Sequence, residues 1–144
     1  MEISISKFIE RGLFGQISLG DSRERICHIF NLVEELKESD YVTFNNLELK
    51  FFDNELVLMS FFIDHEGISF INKKSNNLFY VKDLMVFKNM QLSKFEKYCH
   101  EQKLIIKSKY NISNQTSLNI YKGAYITFED DILNSISVFD LNKI

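Results

Sequence analysis

The chain has 144 residues, of which 45% are hydrophobic and 26% charged, and it carries 14 Phe and 6 Tyr. That is ample material for one buried core, so the composition excludes intrinsic disorder and points to a single globular domain over residues 1–144. No apolar run reaches the about 18 residues a transmembrane helix needs, and the two cysteines, Cys27 and Cys99, exclude a disulfide scaffold.

Met1-Glu2-Ile3-Ser4-Ile5-Ser6-Lys7 has no basic flank, apolar stretch or cleavage site of a signal peptide, so a cytoplasmic protein is expected. A short helix is predicted around Ser4–Arg11, then a glycine-bounded turn through Leu13–Gly20. A longer helix from Asp21 to about Lys37 places Ile26, Ile29, Phe30, Val33 and Leu36 on one stripe, with Asp21 and Glu24 as capping box. A hairpin follows: Leu47 to Phe52 alternates like a half-buried strand, turns at Asp53-Asn54 and returns as Leu56–Ile63. Strand pieces are expected at Gly67–Ile71 and Leu78–Phe87, either side of a polar loop at Asn72–Asn77. A second helix from Ser93 to about Lys103 again opens on a capping box, Ser93 with Glu96, and strands follow at Leu104–Asn111, Leu118–Phe128 and Leu133–Phe139.

The two hairpins resemble each other. A shift of 77 superimposes Phe51 on Phe128, Asp53 on Asp130 and Leu56 on Leu133, and each hairpin has a helix upstream. The expected fold is α+β, an antiparallel sheet covered by two or three helices, built from a duplicated helix–hairpin unit.

Chemistry is sparse. Cys27-His28 and Cys99-His100 are adjacent pairs, and neighbours on a helix point about 100° apart, too divergent to chelate zinc. Both thiols adjoin apolar stripes and read as buried hydrophobes. His65 reads as a solvated residue at a polar turn. The chain has no nucleophile elbow or glycine-rich phosphate loop, and its paired carboxylates Asp130-Asp131 and Asp64/Glu66 fall at turns. No enzyme, metal or cofactor is expected. Lys73, Lys74, Lys82, Lys88, Lys94, Lys97, Lys103, Lys107 and Lys109 interleave with Phe79, Tyr80, Phe87, Phe95, Tyr98 and Tyr110, as in a basic stacking groove. With a pI of about 5.6 and aromatics at core-facing spacing, solvated lysines are the better reading and nucleic acid is not the expected partner.

The net charge of −3 conceals polarity. Residues 1–66 hold 13 carboxylates against 6 bases (−7), residues 67–128 hold 3 against 10 (+7), and residues 129–144 hold 4 against 1 (−3). Glu34, Glu35, Glu38 and Asp40 cluster at the end of the first long helix, where the helix dipole disfavours carboxylates by up to about 1 kcal/mol each. Such a local misfit suits an acidic recognition surface. Asp53, Glu55, Asp64 and Glu66 form a second tier.

Gly15-Gln16-Ile17-Ser18-Leu19-Gly20-Asp21-Ser22-Arg23 resembles the opening of a loose group of small bacterial proteins, which read Gly-x-Ile-x-Leu-Gly-x-Ser-Arg before a helix and a hairpin with an acidic turn. The similarity spans about the first 60 residues. More distantly, the opening is similar to outer-membrane assembly lipoproteins. The resemblance implies an immunity protein of contact-dependent inhibition or polymorphic-toxin systems, whose partner is the C-terminal domain of a cognate toxin. An acidic surface would then occlude a nuclease's basic groove, although a lysine-rich surface meeting an acidic toxin is equally allowed. An adaptor of a bacterial assembly and an RNA-binding module are the other classes left open.

Overall fold

The computed structural model describes residues 1–30, 38–44, 46–63, 79–121 and 123–143. In chain order the elements are β1 (Glu2–Ile3), α1 (Ile5–Arg11), α2 (Arg23–Phe30), β2 (Tyr41–Phe44), β3 (Leu47–Phe52), β4 (Glu55–Phe62), β5 (Tyr80–Val81), α3 (Leu84–Phe87), α4 (Leu92–Glu101), β6 (Ile106–Ile112), β7 (Gln115–Ile120), β8 (Ala124–Glu129) and β9 (Ile132–Phe139). The fold is α+β, as expected, but its sheet is larger than the sequence suggested. Seven antiparallel strands run in the order β2-β3-β4-β9-β8-β7-β6, and β1 and β5 form a separate parallel pair. No described helix is long and apolar enough to cross a membrane.

The two halves meet residue for residue. In the β4–β9 pairing Ser60 lies opposite Ser137, its counterpart at the shift of 77, and their hydroxyls are hydrogen-bonded at 2.7 Å. Both hairpins carry the same bulge, between Lys50 and Phe51 and between Thr127 and Phe128. Both turn on two left-handed residues, Asp53 and Asn54 with φ of 50° and 63°, and Asp130 and Asp131 with φ of 51° and 63°. Asp and Asn tolerate this region better than other non-glycine residues, and a two-residue turn with both φ positive matches the twist of a hairpin.

Helix attachment repeats as well. The N–H of Arg23, at the start of α2, donates to Asn54 O at 2.8 Å, and the N–H of Leu92, at the start of α4, donates to Asp131 O at 2.8 Å. Each turn thereby satisfies a helix-terminal donor that would otherwise lack a partner. This corrects the two capping boxes. For α2, Ser22 Oγ accepts from Arg25 N at 3.1 Å, while Asp21 accepts from Ser18 N at 2.9 Å. α4 starts after Gln91, without a side-chain cap, and Ser93 lies inside it.

The parallel pair joins the halves at a second place. Ile3 lies level with Val81; Ser4, one residue on, is the N-cap of α1, and Asp83, two residues on, is the N-cap of α3. Asp83 makes no cap hydrogen bond to its own helix. Its carboxylate instead accepts from Ile5 N at 2.7 Å, Ser6 N at 3.1 Å and Ser4 Oγ at 3.2 Å. A two-fold axis normal to the sheet generates antiparallel neighbours with equivalent residues opposed.

Several boundaries differ from expectation. Leu78–Phe87, expected as a strand, supplies two strand residues and then the α3 turn. The expected strand Leu118–Phe128 is two antiparallel strands, β7 and β8, and Gly123, just before β8, has φ 132°. β1 and β2 were not foreseen, the latter because four residues are too few for a periodicity to show. Residues 31–37, Gly67–Ile71 and the Asn72–Asn77 loop lie outside the described residues.

The helices cover one face. Leu47, Leu49 and Phe51 of β3, Met59 and Phe61 of β4, Ile126 and Phe128 of β8 and Ile136 and Val138 of β9 are buried against them. Phe14, from the glycine-bounded turn, packs its ring on Phe8 at 5.4 Å, Phe79 at 5.2 Å and Phe61 at 5.6 Å. In the other half Phe95 of α4 meets Phe128 at 5.4 Å.

Candidate partner interface

The acidic residues chosen from the sequence are only partly placed. Glu34, Glu35, Asp64 and Glu66 lie outside the described residues, as does His65. Glu38 is exposed. Asp40, its side chain 79% exposed, forms an ion pair with Arg23. Arg23 also donates from Nε to Asn54 Oδ1 at 2.9 Å and from Nη1 to Ser39 O at 2.6 Å, and it lies 4.5 Å over the Phe51 ring. Glu55 is held by Lys143 Nζ at 2.8 Å, and Glu55, Asp140 and Asp53 together raise the pKa of that lysine. The fold therefore gathers Asp40, Asp53 and Glu55 around one hairpin turn and interposes two cations. Sequence reasoning passed over Arg23, because what marks it is contacts from distant segments.

The lysine–aromatic interleaving dissolves in three dimensions. Phe79, Phe87 and Phe95 are core residues, and Tyr98 is half-buried with its hydroxyl donating to Glu10 at 3.0 Å. Burial and Glu10 raise the Tyr98 pKa above the ordinary phenol value. Lys82, Lys97 and Lys109 pair with Glu2, Glu101 and Glu96. Cys99 is buried, with its thiol pushed up to about 11 by desolvation first and Glu96 second. Cys27 is half-buried, unlike the fully buried thiol expected. Among the described residues no three His, Cys, Asp or Glu side chains converge as metal ligands would. A cavity of about 470 Å³ between α1, α3 and α4 is lined by Lys7, Glu10, Arg11, Asp83, Tyr98 and neighbours, and Tyr98 and Asp83 there are already committed to hydrogen bonds.

The feature that strand alternation builds is the other face of the sheet. Because Leu47, Leu49 and Phe51 point to the helices, Glu48, Lys50 and Phe52 point away, and the register carries this division across all seven strands. One row crosses the whole sheet: Thr43, Glu48, Ser60, Ser137, Tyr125, Asn119 and Ser108. Beside it on one side lie Phe62, Ser135, Thr127, Ser117 and Tyr110, and on the other Tyr41, Lys50, Leu58 and Phe139. Phe52, Glu129, Gln115 and Ile112 complete the face at the strand ends.

Of these positions, with Glu55 opposite Phe52 and Ile132 opposite Glu129, six are aromatic (Tyr41, Phe52, Phe62, Tyr110, Tyr125, Phe139) and four are charged (Glu48, Lys50, Glu55, Glu129), out of 22. The whole chain is 14% aromatic and 26% charged, so the face about doubles the first fraction and lowers the second by about a third. Seven further positions are Ser or Thr, and some of these satisfy one another: Ser60 with Ser137 at 2.7 Å, and Thr127 with Ser135. Tyr125 and Phe139 pack at 5.8 Å, and the neighbouring Glu48 carboxylate raises the pKa of Tyr41. Tyr41, Phe52 and Tyr110 are more than half exposed (53, 53 and 58%). Aromatic enrichment with depletion of charge distinguishes the centre of a protein–protein contact from ordinary surface. The signal was present in the sequence as the polar phase of each alternating strand.

No family model matches the chain, and no curated protein or solved structure matches it either.

Proposed function

We propose that the chain is a non-catalytic immunity protein that binds one cognate toxin domain and neutralises it by occlusion. The observation that carries this reading is the face of the seven-stranded sheet turned away from the described helices, which has an aromatic and hydroxyl-rich composition suited to recognition. A rigid sheet also suits inhibition, since contact side chains held on strands lose little freedom on binding. The resemblance of the Gly15–Arg23 run to immunity proteins supports the same partner class. The matched hairpin registers support an origin by duplication of one helix–hairpin unit. The acidic set around Asp40, Asp53 and Glu55, with Glu34, Glu35, Glu38, Asp64 and Glu66, offers a charge-led route to a nuclease groove within the same function.

The test is rescue. Co-expression of this chain should restore growth to cells producing the toxin domain it neutralises, to be sought in any large protein encoded beside it, and the two should co-purify. Absence of rescue and of a complex would refute the reading.

A further inference from the structure

We propose that the outer edge of β6 is a docking strand, and that it takes up an extended segment of another protein in which carboxylates alternate with apolar residues. The inference goes beyond the toxin-binding reading and stands whether or not the partner is a toxin.

Among the described residues, β6 has β7 on one side and nothing paired on the other. Ile105, just before the strand, and Tyr110 and Ile112 within it are 63, 58 and 75% exposed, so the edge is open to solvent. The strand also stands outside the internal repeat. In the sheet order β2-β3-β4 mirrors β7-β8-β9 across the central join, and β6 is the strand left over. The two-residue turn Ser113-Asn114 makes Ile112 and Gln115 a hydrogen-bonded pair, and bonding alternates along an antiparallel ladder. Tyr110 therefore also bonds inward, while Lys109 and Asn111 aim their N–H and C=O groups away from the sheet. Those are the groups that an added strand takes.

Charge decides the occupant. Residues 102–128 carry four lysines, at 103, 107, 109 and 122, and no carboxylate. Lysines on an edge strand oppose self-pairing. Full antiparallel overlap of two copies of Ile106–Ile112 sets Lys109 opposite itself, and like charges directly opposed are destabilising. The same lysines favour a strand that brings carboxylates. Lys109 and Asn111 lie opposite Leu118 and Thr116, which are buried on the helix side, and Lys109 Nζ there meets Glu96 of α4 at 3.2 Å with both side chains still part-exposed. Tyr110 and Ile112 stand on the other side. An added strand thus meets a cation on one face and bare apolar side chains on the other, which is what an alternating acidic and apolar segment complements. Nucleic acid would offer phosphates to the lysines but no ladder of donors and acceptors to the outward backbone.

The probes are two peptides of about strand length, one alternating Glu with Val and one alternating Lys with Val, titrated into the whole chain with amide hydrogen exchange as the readout. In the free chain the amides of Tyr110 and Ile112 should exchange slowly and those of Lys109 and Asn111 fast. The Glu peptide should slow Lys109 and Asn111 by about tenfold or more, and the Lys peptide should leave them unchanged. Lys107→Glu combined with Lys109→Glu should reverse the choice, costing the Glu peptide about tenfold in affinity and favouring the Lys peptide by as much. Lys7→Glu, exposed on α1, should bind as wild type. Circular dichroism checks folding, and Lys107→Glu alone replaces a double variant that does not fold. Equal binding of both peptides, or binding of neither at about 1 mM, would overturn the proposal. Slowing confined to β2, at the other edge, would do the same. A free chain that is a dimer with Lys109 and Asn111 already slow would assign the edge to a second copy. Tighter binding of a short single-stranded RNA than of the Glu peptide would assign the lysines to nucleic acid. Each of these results leaves the toxin-binding reading to its own test by co-expression.

Discussion

Asp83→Ala should destabilise the protein by about 2–3 kcal/mol, although Asp83 caps nothing in its own helix. Its carboxylate holds the first turn of α1 from the other half of the chain, taking the N–H groups of Ile5 and Ser6 and the hydroxyl of Ser4. Ser4 Oγ in turn accepts from Lys7 N at 3.3 Å, so the first three N–H groups of α1 are all accounted for. Ile5 is fully buried and Ser4 is 7% exposed, so donors freed by the substitution are poorly placed to find water. Hydrogen bonds to a charged acceptor contribute about 1.5–3 kcal/mol, and loss of an N-cap costs about 0.5–2 kcal/mol. These contributions overlap at one carboxylate, which keeps the total near 2–3 kcal/mol rather than their sum. For a domain of this size that corresponds to a fall in Tm of about 5–10 °C. Asp83→Asn retains one acceptor oxygen and should lose about half as much. Urea unfolding followed by circular dichroism, at unchanged m-value, measures both variants. An alanine variant within about 0.5 kcal/mol of wild type, below the cost of even a weak cap, would refute this role for Asp83.

Asp131→Gly should stabilise the second hairpin by about 0.5–1 kcal/mol, since φ of 63° costs glycine nothing, whereas Asn54→Gly at the equivalent position should gain less because it forfeits the bond to Arg23. Chemical denaturation of the two variants would expose equal gains if that bond contributes nothing. Single Ser60→Ala and Ser137→Ala changes should each cost about 1 kcal/mol, and the double variant little more than either, because the pair is lost only once. Strictly additive losses would contradict the coupling. Alkylation read by mass spectrometry should label half-buried Cys27 well before Cys99, whose thiol is pushed up to about 11; equal rates in the folded protein would contradict the burial. Cys99 and Tyr98 both have folded-state values above their ordinary ones, so the unfolded chain releases these protons first. The effect of Cys99 is complete below about pH 9 and is lost as pH rises through 11, while that of Tyr98 starts to fall only above about pH 10, so denaturation from pH 9 to 11 should show falling stability.

The sequence by itself determined the local units. Alternation in Leu47–Phe52 and Ala124–Glu129, with acidic turn residues after each, specified two hairpins, and the shift of 77 between them held down to the bulge and the turn dihedrals. Those features depend on residues within a few positions of one another, which is why they are legible in one dimension. The stripe of Ile26 and Phe30 likewise announced a helix, although its start moved one residue because Ser22 rather than Asp21 supplies the cap.

Only the tertiary structure decided how the units combine. Nothing local states that Ser60 will lie beside Ser137, that Asp83 will cap α1, or that Tyr80–Val81 will leave the strand expected there to pair with the first residues of the chain. Each is a contact across about 77 to 79 positions, fixed by which faces can be buried together. The same holds for the candidate site. Clustered carboxylates were visible in the sequence, but Arg23 and Lys143, which neutralise Asp40 and Glu55, arrive from elsewhere in the chain. The sheet face turned away from the described helices is written into the sequence as every second residue of seven strands. It becomes a surface only when the pairing order sets those residues side by side and the helices bury the opposite face.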